Sequence, residues 1–225
     1  MTREKKIETL ISLVLGDGCI LNRNNIFYIS IAHGEKQKDY LEWKARLIDE
    51  TKLFVSSTKI KSRITYLKET NKSYLQYYFC KTSKELKNLN LYNILYQDKK
   101  KSIHNALKYI KSDKSLAIWF MDDGSVFKRK KKHKSGDIYF LKPTLKLCTH
   151  SFTYEENLEI IDWFKRKYLI DAKLVSETKR NKKYYYLRFN SEESYKIYRI
   201  IKKYIIQIES MKNKFIFFEE YYHDN

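Results

Sequence analysis

Two segments of the chain are apolar at nearly every position, and each of them ends in Asp-Gly. The first covers residues 10–18 and the second covers residues 116–124, almost half of the 225-residue chain later. A glycine after an apolar run is a common helix C-terminal cap, so each segment predicts a buried helix that ends at its aspartate. These aspartates are Asp17 and Asp123.

The pattern after each of these two helices also repeats. A strand pair, a helix that contains one tryptophan, a hairpin and a final helix follow in the same order in both parts of the chain. The corresponding segments are residues 29–33, 38–50, 59–68 and 73–79 in the first part, and residues 145–149, 154–169, 174–178 and 184–189 in the second. We therefore predict an α+β fold of two pseudo-symmetric αββαββα halves, residues 1–108 and residues 109–225.

Neither half can bury its apolar surfaces alone. Each would expose its Asp-Gly helix and one face of a saddle-forming antiparallel sheet, so we expect the halves to pack through these two helices. The small residues Ser12 and Gly16 lie on one face of the first helix, which permits a close approach. Their counterparts Ile118 and Asp122 are larger, so the pairing is asymmetric. A single chain accommodates such asymmetry and a symmetric homodimer does not, and we expect a monomer.

The net charge narrows the choice of partner. Lys and Arg number 46 and Asp and Glu number 27, which gives +19 at pH 7. This excess favours a polyanionic partner, and contacts with nucleic-acid phosphates are made mainly by Lys and Arg. A membrane-surface protein, the competing class, would need an apolar anchor or a one-sided amphipathic helix, and the sequence predicts neither. The N-terminus also shows no apolar signal region.

Cysteine usage bears on the compartment. The three cysteines, Cys19, Cys80 and Cys148, are far apart and odd in number. This spacing argues against a disulfide framework or a zinc site and favours an intracellular, reducing compartment. A mitochondrion and a bacterial or phage-infected cytoplasm remain open alternatives.

The two aspartates are unusual at the end of a helix. Each faces the negative end of the helix dipole, which costs about 0.3–1 kcal/mol. If the two helices pair, the carboxylates of Asp17 and Asp123 converge and repel each other unless a cation neutralises them. Hard oxygen ligands suit Mg²⁺. The alternative is an ordinary buried helix with a glycine cap, but its occurrence twice at equivalent positions favours metal-assisted hydrolysis of a phosphodiester.

Both segments resemble the motif of the LAGLIDADG homing endonucleases, and the copy at residues 116–124 keeps the opening Leu-Ala and the closing Asp-Gly. The chain is similar to the single-chain, two-motif members encoded in mobile introns, notably those of mitochondrial large ribosomal RNA. The resemblance implies that Asp17 and Asp123 are catalytic metal ligands, with Gly16 and Asp122 as further metal-binding positions. It also implies Mg²⁺, with Mn²⁺ able to substitute, and a staggered double-strand break with 3′ overhangs in a long, asymmetric DNA site.

The resemblance further implies a lysine beside each catalytic aspartate. Lys101 and Lys214 match the expected places. Their role would be to stabilise charge on the phosphate or to orient the attacking water. The neighbouring lysines Lys99, Lys100 and Lys212 remain alternatives, because chance matches are easy in a lysine-rich chain.

We expect the two sheets to face DNA, because alternate side chains of a strand point to one face and can reach the major groove. In the first half, Lys59, Lys61, Arg63 and Thr65 are predicted to share one face of a strand. In the second half, the predicted set is Ser176, Thr178 and Arg180 with Tyr184, Tyr186 and Arg188 on the return strand. Residues 128–134, which include Arg129 and Lys130, are predicted to form a turn that clamps a phosphate.

Two other functions compete with cleavage. An RNA maturase that assists splicing of its host intron would use the same fold and charge, with intron RNA as its partner. An inactive DNA-binding regulator would be expected to have lost one of the two aspartates. The presence of both Asp17 and Asp123 favours an endonuclease acting on double-stranded DNA.

Overall fold

The structure is a computed structural model that describes residues 1–67, 71–179 and 181–223. The first half contains α1 (Arg3–Leu15), β1 (Cys19–Arg23), β2 (Ile26–Gly34), α2 (Lys38–Glu50), β3 (Lys61–Leu67), β4 (Lys72–Thr82), α3 (Lys84–Asn88) and α4 (Leu91–Leu95). A short hairpin of β5 (Tyr96–Gln97) and β6 (Lys100–Lys101) follows. The second half contains α5 (Asp113–Asp123), β7 (Gly124–Phe127), β8 (Lys130–Lys132), β9 (Ile138–Phe140), β10 (Thr144–Cys148), α6 (Tyr154–Tyr168), β11 (Lys173–Lys179), β12 (Lys182–Arg188), α7 (Ser191–Ile205) and α8 (Glu209–His223).

Each half is built on one four-stranded antiparallel sheet. The strand order is β1-β2-β4-β3 in the first half and β11-β12-β10-β7 in the second. In the first half, α1 precedes the sheet strands and α2 lies between the second and third of them. In the second half, α5 and α6 have the same positions in the chain order. The predicted α+β class with two αββαββα halves is confirmed, with α4 and α8 as additional helices.

The two Asp-Gly helices form where the sequence predicted them, and both are central. Helix α5 ends at Asp123 as predicted, whereas α1 ends at Leu15, two residues before Asp17, with Gly16 as its cap. Helix α1 begins after Thr2, whose hydroxyl accepts the Lys5 N–H, and α5 begins after Ser112, whose hydroxyl accepts the Ser115 N–H. Such caps satisfy one of the free N–H groups of the first turn. From residue 10 in α1 and residue 116 in α5, the two helices are apolar on nearly all sides up to residues 15 and 121, so these parts are stable only when other elements surround them. Accordingly, residues 10–15 of α1 and 115–121 of α5 are buried.

The ends of α1 and α5 approach each other closely at Gly16. A Cβ atom on Gly16 would lie 2.4 Å from both Cβ and Oδ2 of Asp122. A larger residue would therefore push the helix ends apart, and the predicted close approach at Gly16 is confirmed. Helix α8 adds a second link between the halves, because the Ser210 N–H donates to Asp39 Oδ2 of α2 at 2.9 Å. The buried residues of the two halves form one core.

The predicted face of the β11–β12 hairpin is partly wrong. Glu177 pairs with Tyr184 and Thr178 pairs with Lys183. Directly paired residues of antiparallel strands point to the same face. Tyr184, Tyr186 and Arg188 therefore share one face with Glu177, whereas Ser176 and Thr178 lie on the opposite face, toward α6. The physical reason is the register, because a shift of one residue moves every side chain to the other face.

The structure differs from the predicted DNA-facing segments at Lys59 and at residues 128–134. Strand β3 begins at Lys61, so Lys59 is an exposed residue before the strand and was wrongly placed in it. Arg180 lies outside the described residues. Residues 128–134 are not a simple turn, because β8 pairs with β9 from Lys130 opposite Phe140 to Lys132 opposite Ile138. Consecutive charged residues carry no apolar alternation, so sequence pattern alone did not reveal this hairpin.

Candidate active site

The catalytic candidates Asp17 and Asp123 lie where the C-terminal ends of α1 and α5 meet. The side chain of Asp17 is 41% exposed, and Asp123 is half-buried. Burial, and then the neighbouring carboxylates Asp122 and Asp17, raise the pKa of Asp123 to about 7. Burial and Asp122 also raise the pKa of Asp17. Each rise reflects crowded negative charge in a partly buried place, which is the environment that a bound cation would relieve.

Two lysines stand beside this pair of aspartates in a pseudo-symmetric arrangement. Lys101 of β6 donates to the carbonyl oxygens of Leu15 at 3.2 Å and Gly16 at 2.5 Å. Lys214 of α8 donates to the carbonyl oxygens of the equivalent residues of α5, which are Met121 at 2.6 Å and Asp122 at 3.2 Å. Each ammonium group therefore sits at the negative end of one motif helix, where a cation is favoured.

The charge state of these lysines depends on the aspartates. Burial lowers the pKa of Lys101 and of Lys214, and the carboxylates of the site oppose this lowering. The alternatives Lys99, Lys100 and Lys212 are exposed. The structure thus brings Lys101 and Lys214 to the ends of the motif helices, while their role in the reaction stays a prediction.

Asp122 makes a different set of contacts from its neighbour Asp123. Its side chain is fully buried and accepts three hydrogen bonds, from Lys44 Nζ at 2.5 Å, from the Tyr40 hydroxyl at 2.8 Å and from the Asp17 N–H at 3.1 Å. The Asp122 side chain thus has three donors, one of them cationic, with two on Oδ1 and one on Oδ2. Its backbone carbonyl, and that of Gly16, accept hydrogen bonds from the two lysines.

Sequence reasoning missed Lys44 and Tyr40. A lysine in an amphipathic helix ordinarily lies on the solvated side, so Lys44 drew no attention. A signal was nevertheless available, because Lys44 falls four residues after Tyr40 and four before Ile48, on the core-facing stripe of α2. Both Lys44 and Tyr40 are fully buried.

A second grouping of possible metal ligands lies next to the aspartates. One ligand atom from each of Asp17, His33 and Asp122 lies within 4.8 Å of the others. His33 Nδ1 is 3.6 Å from Asp17 Oδ2 and 3.2 Å from Gln37 Oε1. Burial lowers the pKa of His33 to about 4, so the imidazole is neutral near pH 7. Asp122 already holds the Lys44 ammonium group. Metal binding at Asp17 and Asp123, with Gly16 and Asp122 as further positions, stays a prediction.

The chain matches known proteins over most of its length. The model of the LAGLIDADG DNA endonuclease family matches residues 7–197. The chain belongs to this family. A protein of Wickerhamomyces canadensis named probable intron-encoded endonuclease 1 is 29% identical over 222 residues, which cover 93% of this chain and 83% of that protein. An uncharacterised protein of Methanocaldococcus jannaschii is 28% identical over 194 residues, which cover 86% of this chain and 67% of that protein.

Solved structures show the same fold. The homing endonuclease I-WcaI bound to its DNA recognition sequence superposes with a TM-score of 0.71 at 24% identity, covering 95% of this chain and 86% of that chain. A variant of I-DmoI in complex with its target DNA and Mn superposes with a TM-score of 0.50 at 15% identity, covering 90% of this chain and 98% of that chain. This LAGLIDADG endonuclease therefore has the fold that its repeated motif implied.

The sheets of this LAGLIDADG endonuclease each have one face turned away from the core, which we call the open face. On the first sheet it carries Lys61, Arg63 and Thr65, whose partners across the strand pair are Tyr78, Gln76 and Tyr74. Arg63 Nε donates to Gln76 Oε1 at 2.8 Å, and its guanidinium lies 5.0 Å from the centre of the Tyr78 ring. These contacts hold a cationic group in a defined place on the sheet.

The open face of the second sheet carries Tyr184, Tyr186 and Arg188, together with residues that sequence reasoning missed. Lys146 Nζ lies 3.7 Å from the centre of the Tyr186 ring, and His150 Nε2 lies 2.8 Å from Glu177 Oε1. No local pattern marks these residues, because they come from β10, β11 and the loop after β10 and meet only in the folded sheet.

The two basic candidates after the second motif occupy different environments. Arg129 is half-buried, and its carbonyl accepts the Leu141 N–H at 2.9 Å, whereas Lys130 is an exposed residue of β8.

Among the described residues, no helix combines the length and apolar character needed to span a membrane.

Proposed function

We propose that the chain is a monomeric, site-specific endonuclease that makes a staggered break in double-stranded DNA by divalent-metal-dependent hydrolysis. The observation that carries the proposal is the meeting of two acidic helix ends, one from each half, in a place where burial, and then the neighbouring carboxylates, raise the pKa of Asp123 to about 7. Membership of the LAGLIDADG DNA endonuclease family supports DNA as the substrate and hydrolysis as the reaction.

The residues present fit a hard divalent cation. The carboxylates of Asp17 and Asp123 provide anionic oxygen ligands, and the partial exposure of Asp17 leaves room for water and a phosphate group. We assign Mg²⁺ to this site, with Mn²⁺ as a substitute. The use of Mn²⁺ is supported by the I-DmoI variant, whose structure with its target DNA was solved in the presence of Mn. A bound ion of this kind activates water and stabilises charge on a scissile phosphate.

Lys101 and Lys214 would act on the same phosphate groups. Each ammonium group is held at the end of one motif helix and points at its last carbonyl oxygens. From there it can donate a hydrogen bond to a phosphate oxygen, which stabilises the charge that develops during hydrolysis. Alternatively, it can orient the attacking water toward the scissile phosphorus. One lysine from each half suits one scissile phosphate on each strand, with 3′ overhangs as the predicted product.

The maturase alternative is not favoured. An RNA-folding role needs cationic surface but gains nothing from two crowded carboxylates, which repel a phosphate backbone in the absence of metal. Intron RNA therefore remains a secondary candidate partner, behind double-stranded DNA.

The test is cleavage of a defined DNA. If the gene lies within an intron or intein, the sequence formed by joining the DNA on its two sides is the predicted site. A plasmid with this sequence should be linearised by the purified protein in Mg²⁺ or Mn²⁺, and EDTA should stop the reaction. Plasmid without the insert is the control. Equal cleavage of both plasmids, or unchanged cleavage in EDTA, would contradict the proposal.

The open face of the second sheet gives a prediction about binding. Arg188 lies on the open face of β12, and Lys183 lies on the other face of the same strand, opposite Thr178. Arg188→Ala and Lys183→Ala remove the same charge from opposite faces. We expect Arg188→Ala to weaken binding of the cognate DNA about 5–150-fold, since a good contact contributes about 1–3 kcal/mol, and Lys183→Ala to change it by less than about threefold. Equal losses in fluorescence anisotropy titrations would place DNA elsewhere.

A further inference from the structure

Lys44 and Asp122 form a fully buried ion pair that connects the two halves of the molecule. Lys44 belongs to α2 of the first half, and Asp122 belongs to the motif helix of the second. Their side chains are 0% exposed, and Lys44 Nζ lies 2.5 Å from Asp122 Oδ1. The hydroxyl of Tyr40, also on α2, donates to the same oxygen at 2.8 Å.

Stability alone does not account for such a pair. Removing two charges from water is costly, and apolar residues of similar volume are often as stable or more stable in the same place. The lysine also contacts one member of a group of possible metal ligands. The ligand atoms of Asp17, His33 and Asp122 lie within 4.8 Å of one another, and the Lys44 ammonium group supplies the positive charge at Asp122. The protein thus has a fixed internal cation beside its acidic centre.

The second oxygen of Asp122 shows what this cation holds in place. Asp122 Oδ2 accepts the backbone N–H of Asp17 at 3.1 Å. Asp122 is also the residue before Asp123, and its side chain fills the space that a Cβ at Gly16 would need, 2.4 Å from its own Cβ and Oδ2. One carboxylate therefore fixes the backbone at both catalytic aspartates, while Lys44 and Tyr40 fix that carboxylate.

We propose that Lys44, assisted by Tyr40, is a positioning residue that sets the separation and orientation of Asp17 and Asp123 through Asp122. This inference rests on the proposed function, because it assumes that these aspartates hold the catalytic metal. Lys44 does not touch DNA or metal in this account. It acts from behind the site, by holding the carboxylate that joins the ends of α1 and α5.

The first test is Lys44→Met, which keeps most of the side-chain volume and removes the charge. The Asp122 carboxylate then lacks its cationic partner and is free to turn toward the metal or toward water. We expect the single-turnover rate constant for strand cleavage, with enzyme in excess, to fall about 10–100-fold, the range seen when groups behind metal ligands are lost. The metal concentration for half-maximal rate should rise, and DNA affinity should stay within about twofold.

The rescue variant combines Lys44→Met with Asp122→Asn. The new amide oxygen can accept the Asp17 N–H, and the amide nitrogen can donate to the Tyr40 hydroxyl oxygen. The Tyr40 hydroxyl can in turn donate to the Ile118 carbonyl oxygen, which lies 3.3 Å away. Because no buried charge is left uncompensated, we expect the double variant to recover most of the rate constant and the wild-type metal midpoint.

The readouts separate positioning from stability. A purely structural pair would lower the melting temperature and the folded fraction, but the rate constant and metal midpoint of the folded molecules would stay unchanged. Lys167→Met is the control, since it removes a different lysine that makes hydrogen bonds between elements: Lys167 Nζ donates to the carbonyl oxygens of Ile110 and Lys111, which lie before the start of α5 and not at its Asp123 end. Wild-type rate constant and metal midpoint in folded Lys44→Met would overturn the proposal.

Two results remain decisive if Lys44→Met does not fold. Tyr40→Phe removes one hydrogen bond to Asp122 and keeps the packing, so it should raise the metal midpoint and lower the rate constant severalfold. Wild-type values for Tyr40→Phe, or no recovery in the folded double variant, would overturn the proposal. A wild-type protein that does not cleave the joined-flank DNA would instead reject the proposed function, and with it this inference.

Discussion

Asp123→Asn and Asp17→Asn are each expected to abolish double-strand cleavage while leaving DNA binding intact. Each change removes one anionic oxygen ligand and keeps the size of the side chain. Loss of a metal ligand at the reacting centre should reduce the cleavage rate at least about 10³-fold, which corresponds to about 4 kcal/mol of transition-state stabilisation. Affinity should change little, because it derives mainly from the lysines and arginines of a chain with net charge +19.

Folding should survive both substitutions. Each aspartate sits at the negative end of a helix dipole, and burial together with neighbouring carboxylates raises the pKa of Asp123 and of Asp17. A neutral amide removes this unfavourable charge, so the melting temperature of the metal-free protein should hold or rise slightly. Two merely structural aspartates would behave differently, with lower melting temperatures and cleavage in proportion to the folded fraction. Single-turnover cleavage, anisotropy and thermal melting of the same preparations distinguish the two cases.

The second large effect is a loss of DNA affinity as the salt concentration rises. If about ten phosphates are neutralised in the complex, the logarithm of the association constant falls against the logarithm of salt concentration with a slope near about −9. Between 50 and 200 mM salt this corresponds to a loss of about 10⁵-fold in affinity. Binding should remain selective for the cognate site at each concentration, because base contacts add to the phosphate contacts.

Arg188→Ala provides an internal check on the salt measurement. If Arg188 contacts a phosphate, the variant should lower the magnitude of the slope by about 1, and if it contacts a base, the slope should stay and selectivity should fall at one position. A wild-type slope near zero would mean that the excess of 46 basic over 27 acidic residues is not used on a nucleic-acid backbone.

The features that the sequence predicted are those set by local patterns. The apolar segments before Asp17 and Asp123 are helical and central, so the position and burial of the motif helices follow from pattern, although α1 ends two residues before Asp17. The repeat then supplied the order of elements in each half. Lys101 and Lys214 were placed by resemblance, and in the structure both reach the carbonyl oxygens at the ends of these helices.

The features that the sequence did not predict depend on contacts between distant segments. The face of Ser176 and Thr178 is set by strand register, where one residue of shift reverses the outcome. The hairpin that contains Lys130 lies within a run of charges that carries no alternation. In the sequence Lys44 resembles a surface lysine. In the folded protein α2 packs against the end of α5, and Asp122 compensates the charge of Lys44.

The shared metal centre is tested most directly by anomalous diffraction from Mn²⁺ in crystals of the protein with its cognate DNA. We expect an anomalous peak within about 2–2.5 Å of carboxylate oxygens of both Asp17 and Asp123, the distance at which hard divalent cations bind oxygen. The Lys44–Asp122 pair should remain intact beside it. Density held instead by His33 and Asp122, with none at Asp123, would contradict the account.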